Sequence, residues 1–600
     1  MKNVFYPYIR CLAILALVVL PQAGTGQVLS TPTTACAISG YIDIDTVWSP
    51  TDCDPYVVTS DTYVQSGVIL TILPGTRVKF NYSISLTVDG MLVARGSPRR
   101  LITFTSAAPN PVGGDWNSIW FTDSSVDATY DPFGQYTGGS AIQYAVVNYG
   151  GGSSSPGALV TDAASPYLDH IELAYDWSPI TILNGGQQTI TNNTIHNTIH
   201  GSGIYVYSSD PVEIAGNRVA DNDNYGIYCQ CSNALTLSHN LVKDNDQGGI
   251  YYAFSCCDTS SLLSISGNVI AGNPDIQGVG MYVSLIGGGQ AAIEGNTITG
   301  YRRSGRGGGM ALDPSACCLV TLRGNVISGN TADQGGGVAI ESGSSVPVEV
   351  TGNTITQNIA NYAEQGGGIF LQNGSQASLT ENALYGNWTG SLADIPNDLY
   401  NFNDASQPVV NAVDNYWGTS RANEIGDVIW DQTDDPALGV VTYTPYLTHT
   451  VGNILVNPGF EFGPGAGWNE TSTGQHEVIT SAWPHLGAYS AHLCGYNDCT
   501  DTIEQRVTIP DGAWLRYSWY VSSSEETVNA HDILQVEART LAGEILATLR
   551  VWSNVNRRNI WHRDALFIGG AVGQTILLRF TATTDPSRPT LFTIDDVSIQ

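Results

Sequence analysis

Positive charge is scarce in this sequence, and lysine is the rarest charged residue. Among 600 residues there are 23 Lys and Arg against 54 Asp and Glu, which gives a formal net charge of −31. The lysines are Lys2, Lys79 and Lys243. Neutralising the phosphates of a nucleic acid takes clustered Lys and Arg. The composition therefore excludes nucleic acid as the partner.

Long hydrophobic runs are also missing. The most apolar stretch, residues 11–20, has about half the length that a membrane-spanning helix needs. It follows the basic residues Lys2 and Arg10 and precedes the small residues 24–26, the arrangement of a secretory signal peptide. We therefore expect residues 1–26 to be a signal peptide and the mature chain to be secreted, extracellular or associated with the cell surface, without a membrane span and as a monomer.

Cysteine is uncommon, but its number and placement are informative. All of the 11 cysteines except Cys11 lie beyond the predicted signal peptide. An even number of cysteines in an exported chain favours disulfides, and Cys36 with Cys53 and Cys494 with Cys499 are close enough to pair locally. Clustered thiols can also bind zinc, but export and the lack of neighbouring histidines argue against it. The remaining cysteines form three clusters whose pairing stays open: Cys229, Cys231, Cys256, Cys257, Cys317 and Cys318.

Glycine, in contrast, is abundant and recurs in an internal repeat. A Gly followed by apolar residues returns every 23 to 31 residues. Each unit also holds a strand that ends in an Asn, with a second Asn five residues later, except in the fourth unit, where Tyr301 takes its place. The glycines are Gly203, Gly226, Gly249, Gly280, Gly309, Gly337 and Gly368; the first asparagines are Asn217, Asn240, Asn268, Asn296, Asn325, Asn353 and Asn382; the second are Asn222, Asn245, Asn273, Asn330, Asn358 and Asn387.

This repeat predicts stacked coils of short strands. Gly and Asn accept the left-handed backbone that sharp corners need, and apolar residues with a period of two face inward. Coils stacked about 4.8 Å apart place equivalent Asn side chains above one another, where they can satisfy turn amides along a ladder. Helical repeats are excluded, because Gly and Asn at this density would break helices.

The pattern resembles the right-handed parallel β-helix of the pectate-lyase-like superfamily. Residues 68–78 and 101–106 are similar to the first coils of secreted bacterial β-helix proteins, and residues 414–418 with 443–447 are similar to a closing coil. The resemblance implies an all-β fold with a right-handed parallel β-helix over residues 27–450. In that fold Cys229 or Cys231 can reach Cys256 or Cys257 on the next coil, while Cys317 and Cys318 form a vicinal bridge or remain thiols.

Composition changes near residue 450. Residues 451–600 hold six of the 13 tryptophans, lose the repeat and alternate in polarity, which predicts a β-sandwich. Residues 457–461 and 593–599 resemble the two ends of carbohydrate-binding jelly rolls. That resemblance implies a structural calcium shared by Glu461 and Asp596, and oxygen ligands suit this hard cation. The alternative is that both are surface carboxylates.

Residues for catalysis are hard to identify. Arg302, Arg303 and Arg306 cluster in the unit that lacks its second Asn, and Lys243 lies beside two aspartates. We take these basic residues as weak catalytic candidates, because irregularities in a repeat mark function, although an Arg cluster is more often a solvated corner. The sequence pair 169–170 is similar to an Asp-His pair of pectate lyases, but it also fits an ordinary strand, and the structural role is favoured.

Two functions fit this sequence. The favoured one is an exported or cell-surface β-helix that binds glycans or surface partners and carries an appended sugar-binding-like module. The alternative is a polysaccharide lyase or glycoside hydrolase that acts on an extracellular polysaccharide. The acidic charge is concentrated in residues 41–450, with 38 acidic and 12 basic side chains, so polyuronates would be repelled in the absence of calcium.

Overall fold

The structure is a computed structural model that describes most of residues 34–599. Residues 1–33, which include the predicted signal peptide, and residue 600 lie outside the described part. The shorter stretches left out are 132–133, 153, 208–209, 231–233, 256–261, 287–288, 315–317, 342–345, 363–364, 373, 391–394, 420, 448–453, 461–462, 486–488, 511–512, 526–527, 557 and 569–572. The predicted domain boundary at residue 450 therefore lies outside the described residues.

Forty strands, nearly all paired in parallel, build a solenoid with three faces. From Ile180 onward each coil contributes one strand to the first, second and third face in turn, and each strand pairs with its equivalent one coil later. Four longer strands cross a corner and serve two faces: Cys36–Ile42, Tyr56–Val64, Ala141–Asn148 and Tyr167–Ala174.

The other solenoid strands divide among the faces as follows. The first face holds Leu86–Val88, Ile119–Phe121, Leu159–Asp162, Ile180–Leu183, Ile204–Tyr207, Tyr225–Gln230, Gly248–Ser255, Val279–Ile286, Met310–Pro314, Val338–Glu341, Ile369–Gln372, Leu399–Asn401 and Ile429–Trp430. The second face holds Thr46–Trp48, Ile69–Ile72, Met91–Arg95, Gln188–Thr191, Val212–Ala215, Ala234–Ser238, Leu262–Ser266, Gly289–Glu294, Cys318–Arg323, Val348–Thr351, Ala377–Thr380, Val410–Asn411 and Val441–Thr442. The third face holds Arg77–Phe80, Ile102–Ser106, Thr194–His196, Arg218–Ala220, Leu241–Lys243, Val269–Ala271, Thr297–Thr299, Val326–Ser328, Thr354–Thr356 and Ala383–Tyr385.

The predicted asparagine ladder is present and runs through nine coils. From Asn193 to Asn382, each side-chain Nδ2 donates to the Oδ1 of the next Asn at 2.9–3.1 Å, and that Oδ1 also accepts the backbone N–H of the donating Asn. The residue before each Asn has a left-handed backbone, for example Gly295 with φ +63°, which explains the recurrent Gly at this corner. The ladder consists of Asn193, Asn217, Asn240, Asn268, Asn296, Asn325, Asn353, Asn382 and Asn415.

A second ladder joins the later asparagines but is interrupted over two coils. Asn222 donates to Asn245, and the ladder resumes with Asn330, Asn358 and Asn387, ending on the carboxylate of Asp398. The expected break at Tyr301 is confirmed. The ladder also fails at Asn273, whose Oδ1 accepts a local N–H from Asp275 instead, because the ring of Tyr301 fills the space against Gly272.

The last part of the chain forms two five-stranded antiparallel sheets, as predicted for a β-sandwich. Their inward side chains pack into one apolar core that includes Trp468 and Phe580. One sheet has the order Asn469–Ser472, Thr500–Thr508, Thr575–Thr583, Ile533–Arg539 and Ile545–Ser553. The other has the order Ile479–Thr480, Ser490–Cys494, Thr590–Ile599, Trp514–Ser523 and Trp561–Phe567.

Few elements remain outside these sheets. Among the described residues these are a hairpin and a small four-stranded sheet on the solenoid and one short helix, Ala422–Gly426. Within the described residues, no helix has the length and apolar character needed to cross a membrane. The hairpin and small sheet comprise Thr129–Tyr130, Tyr136–Gly138, Thr331–Ala332, Ile359–Ala360, Trp388–Thr389 and Ile395–Pro396.

Both local disulfides are confirmed. Cys36 pairs with Cys53 in the first coils, and Cys494 pairs with Cys499 in the sandwich. Cys229 and Cys318 are buried. The pairing of the clustered cysteines stays a prediction, because the other four lie outside the described residues: Cys231, Cys256, Cys257 and Cys317.

Candidate functional site

One outward-facing register position on the first face carries a column of aromatic side chains. The rings of Tyr205, Tyr228, Tyr251 and Tyr282 stack with centroid separations of 5.4, 4.5 and 5.0 Å and interplanar angles of 14° or less. The ring spacing follows the strands, which lie about 4.8 Å apart. These tyrosines stand at the same place in each Gly-apolar repeat and are partly exposed. They form an aromatic surface that spans four coils, which we call the tyrosine stack.

The tyrosine stack ends where the column changes to alanine. Ala311 pairs with Tyr282 in register, Ala339 follows, and aromatic rings resume only at Phe370, which is fully buried. The missing rings leave a cavity of about 440 Å³ against Tyr282, which we call the first-face cavity. It is lined by Tyr282, Arg303, Gly305, Arg306, Ala311, Leu312, Asp313, Asp333, Gln334, Glu341 and Tyr362.

Two carboxylates occupy the next outward position on the two strands that carry Ala311 and Ala339. Asp313 and Glu341 each follow directly after the paired residues Leu312 and Ile340, so they lie on adjacent strands. Arg306 Nη1 donates to Glu341 Oε2 at 2.9 Å, and Gln372 Nε2 donates to the same oxygen at 3.2 Å. The two carboxylates therefore have different surroundings, one paired with a guanidinium and one not.

The surroundings of Asp313 favour its protonated form. Although the Asp313 side chain is exposed to solvent at its surface, desolvation by the surrounding chain and the neighbouring negative charge of Glu341 raise the pKa of Asp313, and a hydrogen bond from Ser284 only partly offsets this. The cavity thus combines one carboxyl group whose pKa is raised with another that accepts hydrogen bonds from a guanidinium and an amide.

The loop that follows Tyr301 builds one wall of the first-face cavity. Arg303 Nη1 donates to the backbone oxygen of Arg306 at 2.7 Å, and its guanidinium lies 6.0 Å from the ring centre of Tyr282. Arg306 Nε donates to Gln334 Oε1 at 2.6 Å. Two of the three predicted arginines therefore line the cavity, whereas Arg302 is exposed and bridges neighbouring strands through its backbone.

Tyr301, which interrupts the second asparagine ladder, leaves a buried polar group without a partner in the described part of the chain. Its side chain is buried, and its hydroxyl has no hydrogen-bond partner among the described residues. Burial also raises the pKa of this phenol. Buried polar groups are normally satisfied, so an orphaned hydroxyl at the ladder break is a local destabilisation.

Lys243 lies at a different place from the arginine cluster. It ends a strand of the third face, contacts Asp244 at 3.5 Å, and lines a cleft of about 990 Å³ between the solenoid and the sandwich. Elsewhere along this boundary Tyr385 donates to the backbone oxygen of Thr508 at 3.3 Å. The structure thus separates Lys243 from Arg303 and Arg306 into two cavities.

The predicted calcium pair stays a prediction. Glu461 lies outside the described residues. Asp596 Oδ2 is 2.5 Å from His485 Nδ1 and accepts a hydrogen bond from Ser518 at 3.0 Å. The one metal-like grouping found among the described residues consists of the disulfide-bonded Cys494 and Cys499 with Asp501, and cysteines held in a disulfide do not bind a metal as thiolates.

The pair Asp169 and His170 has the geometry of a structural contact. Asp169 is buried and accepts hydrogen bonds from Gln143 on the preceding coil and from Asn192 on the following coil, at 2.9 and 2.8 Å. Burial alone would raise the pKa of Asp169, but the bonds from Asn192, His170 and Gln143 outweigh it and the pKa is lowered. The carboxylate therefore links three coils, in agreement with the structural interpretation.

Asp313 and Glu341 were not identified from the sequence. They are 28 residues apart, and a single carboxylate in an acidic chain does not by itself indicate a functional site. The available signal was the repeat itself, because the units that begin at Gly309 and Gly337 place both carboxylates four residues after the Gly. That spacing indicates adjacent outward positions on neighbouring coils.

Comparison with known proteins supports the fold. A family model described as a right-handed β-helix region matches residues 123–262 and 256–384, within the solenoid. Together with the parallel strand order, this establishes a right-handed parallel β-helix. No curated protein matches the chain.

Solved structures give only weak similarities. TmCBM61 in complex with β-1,4-galactotriose is 18% identical, with 25% of this chain and 97% of that chain covered and a TM-score of 0.20. The K3 cleaved adhesin domain of Lys-gingipain from Porphyromonas gingivalis is 15% identical, with 26% and 99% covered and a TM-score of 0.19. The enzymatically active domain of bacteriophage CBA120 tailspike protein 4 is 10% identical, with 88% and 64% covered and a TM-score of 0.19. TM-scores this low carry no argument about function.

Proposed function

We propose that this chain is an exported or cell-surface β-helix protein that binds glycans on its first face and carries a sugar-binding-like sandwich. The observation that supports this most is the tyrosine stack, which is partly exposed and ends in an open cavity. Aromatic rings offer large apolar surfaces for the apolar face of a sugar ring, and a cavity with a few polar groups fixes its orientation. The face of Tyr282 toward Ala311 is covered by no other ring of the column.

The charge of the site favours a neutral glycan. The first-face cavity holds three carboxylates, from Asp313, Asp333 and Glu341, against the two guanidinium groups of Arg303 and Arg306. The whole chain carries a net charge of −31. A polyuronate would therefore approach against repulsion, whereas a neutral polysaccharide would not.

Two further features belong to this proposal. The disulfides Cys36–Cys53 and Cys494–Cys499 suit an oxidising compartment outside the cytosol. A structural calcium held by Glu461 and Asp596 would stabilise the sandwich without taking part in binding on the first face. Chelation is then expected to lower the melting temperature of the sandwich and to leave glycan binding by the solenoid unchanged.

Binding to a panel of soluble neutral and uronate-containing polysaccharides tests the proposal. For the glycan that binds, Tyr282→Ala is expected to raise the dissociation constant about tenfold, which corresponds to ~1.4 kcal/mol. The matched control is Tyr82→Ala, since Tyr82 is 79% exposed and lies away from the tyrosine stack. Equal effects of the two substitutions, or no binding to any polysaccharide, would contradict the proposal.

A surface partner other than a glycan is the remaining alternative for a cell-bound protein. If the purified chain binds to cells and soluble polysaccharides do not compete with this binding, a protein partner is favoured. Competition by a neutral polysaccharide, lost on Tyr282→Ala, is the result expected from the tyrosine stack.

A further inference from the structure

We propose that the first-face cavity is a catalytic centre in which Asp313 and Glu341 hydrolyse a glycosidic bond of a neutral glycan with retention of anomeric configuration. This inference rests on the proposed function, because it places the reaction at the glycan-binding cavity. It goes beyond glycan binding by naming a reaction and the two groups that carry it.

The first argument is the spacing of the strands that carry the two carboxylates. Asp313 and Glu341 occupy equivalent outward positions on adjacent parallel strands, next to the paired residues Leu312 and Ile340. Adjacent strands lie about 4.8 Å apart. Retaining glycosidases need their two carboxyl groups roughly 5–5.5 Å apart, and inverting ones need about 6.5–9.5 Å. Equivalent positions one coil apart therefore suit the retaining reaction.

The second argument is that the two groups have the different environments that the two roles need. Glu341 is paired with Arg306 and also accepts from Gln372, both on Oε2, while Oε1 has no donor among the described residues. Asp313 has no cationic partner within the described cavity lining at ion-pair distance, and it faces the charge of Glu341. Glu341, held through Oε2 with Oε1 turned to no donor among the described residues, is thus placed as the nucleophile, and Asp313 as the acid and then the base.

The third argument is the space beside the pair. Ala311 precedes Asp313 by two residues on the same face of the strand, where a larger side chain would close the gap. The ring of Tyr282 bounds the gap on one side, and the loop with Arg303 bounds it on another. A sugar ring seated on Tyr282 therefore has a carboxyl group on the coil beside it and another one coil further.

The reaction balances with water as the second reactant. Asp313 donates its proton to the glycosidic oxygen as the bond from that oxygen to the anomeric carbon breaks, and Glu341 Oε1 bonds to the anomeric carbon. Water then attacks this carbon and gives a proton to Asp313, while the electron pair of the ester bond returns to Glu341. One glycosidic bond and one water yield two sugar ends, and both carboxyl groups return to their initial state.

The test uses the whole chain and the polysaccharides to which it binds. New reducing ends are measured, and the anomer first released is identified by proton NMR. Wild-type protein is expected to release product of retained configuration, and Asp313→Asn and Glu341→Gln are each expected to lower turnover at least about 100-fold. Binding should change less than threefold in both variants. The matched control is Glu349→Gln, an exposed carboxylate on the second face, which should turn over like wild type.

A chemical readout separates catalysis from a structural role. In the Glu341→Ala variant, sodium azide is expected to restore cleavage of an activated aryl glycoside of the same sugar and to yield the glycosyl azide of inverted configuration relative to the substrate. A structural role of Glu341 would give no azide product. Unchanged melting temperatures confirm that the variants fold.

The outcomes distinguish this inference from the proposed function. A polysaccharide that binds at the tyrosine stack but yields no reducing ends overturns catalysis and leaves binding intact. Product of inverted configuration, or turnover that survives Asp313→Asn and Glu341→Gln, also overturns it. Failure of all polysaccharides to bind would instead overturn the proposed function on which it rests.

Discussion

Asn296→Ala tests the central claim about the fold, that the buried asparagine ladder holds the coils together. Asn296 lies in the middle of the ladder. Its Nδ2 donates to the backbone oxygen of Ile265 at 2.8 Å and to Asn325 Oδ1 at 3.0 Å. Its Oδ1 accepts the backbone N–H and the side-chain Nδ2 of Asn268, both at 2.9 Å. The substitution therefore removes both N–H donors and the oxygen acceptor of a fully buried amide.

The expected loss follows from the groups left behind. The backbone oxygen of Ile265 and the backbone N–H of Asn268 lose these partners, whereas Asn268 Nδ2 keeps two backbone acceptors and Asn325 Oδ1 keeps the N–H of residue 296. Each buried group left unsatisfied costs about 1–3 kcal/mol. Asn296→Ala should therefore lower the free energy of unfolding by roughly 2–6 kcal/mol.

Urea-induced unfolding followed by tryptophan fluorescence measures this loss. The matched control is Asn411→Ala, because Asn411 is exposed on a solenoid strand and makes one long side-chain hydrogen bond to Ser378 at 3.4 Å. Its expected cost is below about 0.5 kcal/mol, as for most surface substitutions. If Asn296→Ala destabilises no more than Asn411→Ala, the ladder is not a major source of stability and the argument from buried amides is wrong.

Three further outcomes are expected. Burial raises the pKa of Asp398 to about 7 despite hydrogen bonds from Asn387 that lower it. Because this carboxyl ionises near pH 4 in the unfolded chain, its contribution to the free energy of unfolding is fully present below about pH 4 and is lost as the pH rises to about 7. Asp398→Asn should remove that part of the pH dependence, measured by urea unfolding at several pH values. Tyr301→Phe deletes an orphaned buried hydroxyl and should leave the melting temperature unchanged or raise it, whereas a clear drop would reveal a partner for that group. Ala311→Tyr should add a ring beside Tyr282 and fill the first-face cavity. A titration should then show glycan binding weakened at least about tenfold, with the melting temperature of the protein not lowered. Undiminished binding would place the glycan elsewhere.

The sequence was sufficient to predict the coils because the corner chemistry repeats. A left-handed residue followed by a buried Asn recurs from 216–217 to 352–353, and the structure places each of these Asn in the ladder. The ladder extends further than the repeat suggested, to Asn193 and Asn415, where Asn192 and Asp414 take the left-handed position instead of Gly. A search for Gly-Asn alone misses such ends, since Asn and Asp also accept this conformation.

Local irregularities were harder to predict, because they depend on contacts between coils. Asn273 has the right position in its own unit, but the ring of Tyr301, one coil later, occupies the ladder space against Gly272. Lys243 and Arg303 both looked like candidate site residues, yet the strand that ends at Lys243 faces the cleft toward the sandwich. The face of the solenoid on which a residue lies decides which cavity its side chain lines. The spacing of a single motif does not identify that face.

Three departures from the regular repeat meet in adjacent coils. The second asparagine ladder is interrupted at Asn273 and Tyr301, the aromatic column gives way at Ala311, and carboxylates appear at Asp313 and Glu341. The first two departures have a cost: the buried hydroxyl of Tyr301 lacks a partner among the described residues, and each missing ring contact forgoes about 0.5–1.5 kcal/mol. Regular coils on both sides supply the stability that tolerates these costs. This stretch keeps the first asparagine ladder but gives up part of the second ladder and of the aromatic column, and it gains a cavity lined by two carboxyl groups in different surroundings. Departures of this kind from an otherwise regular repeat are where functional sites are expected.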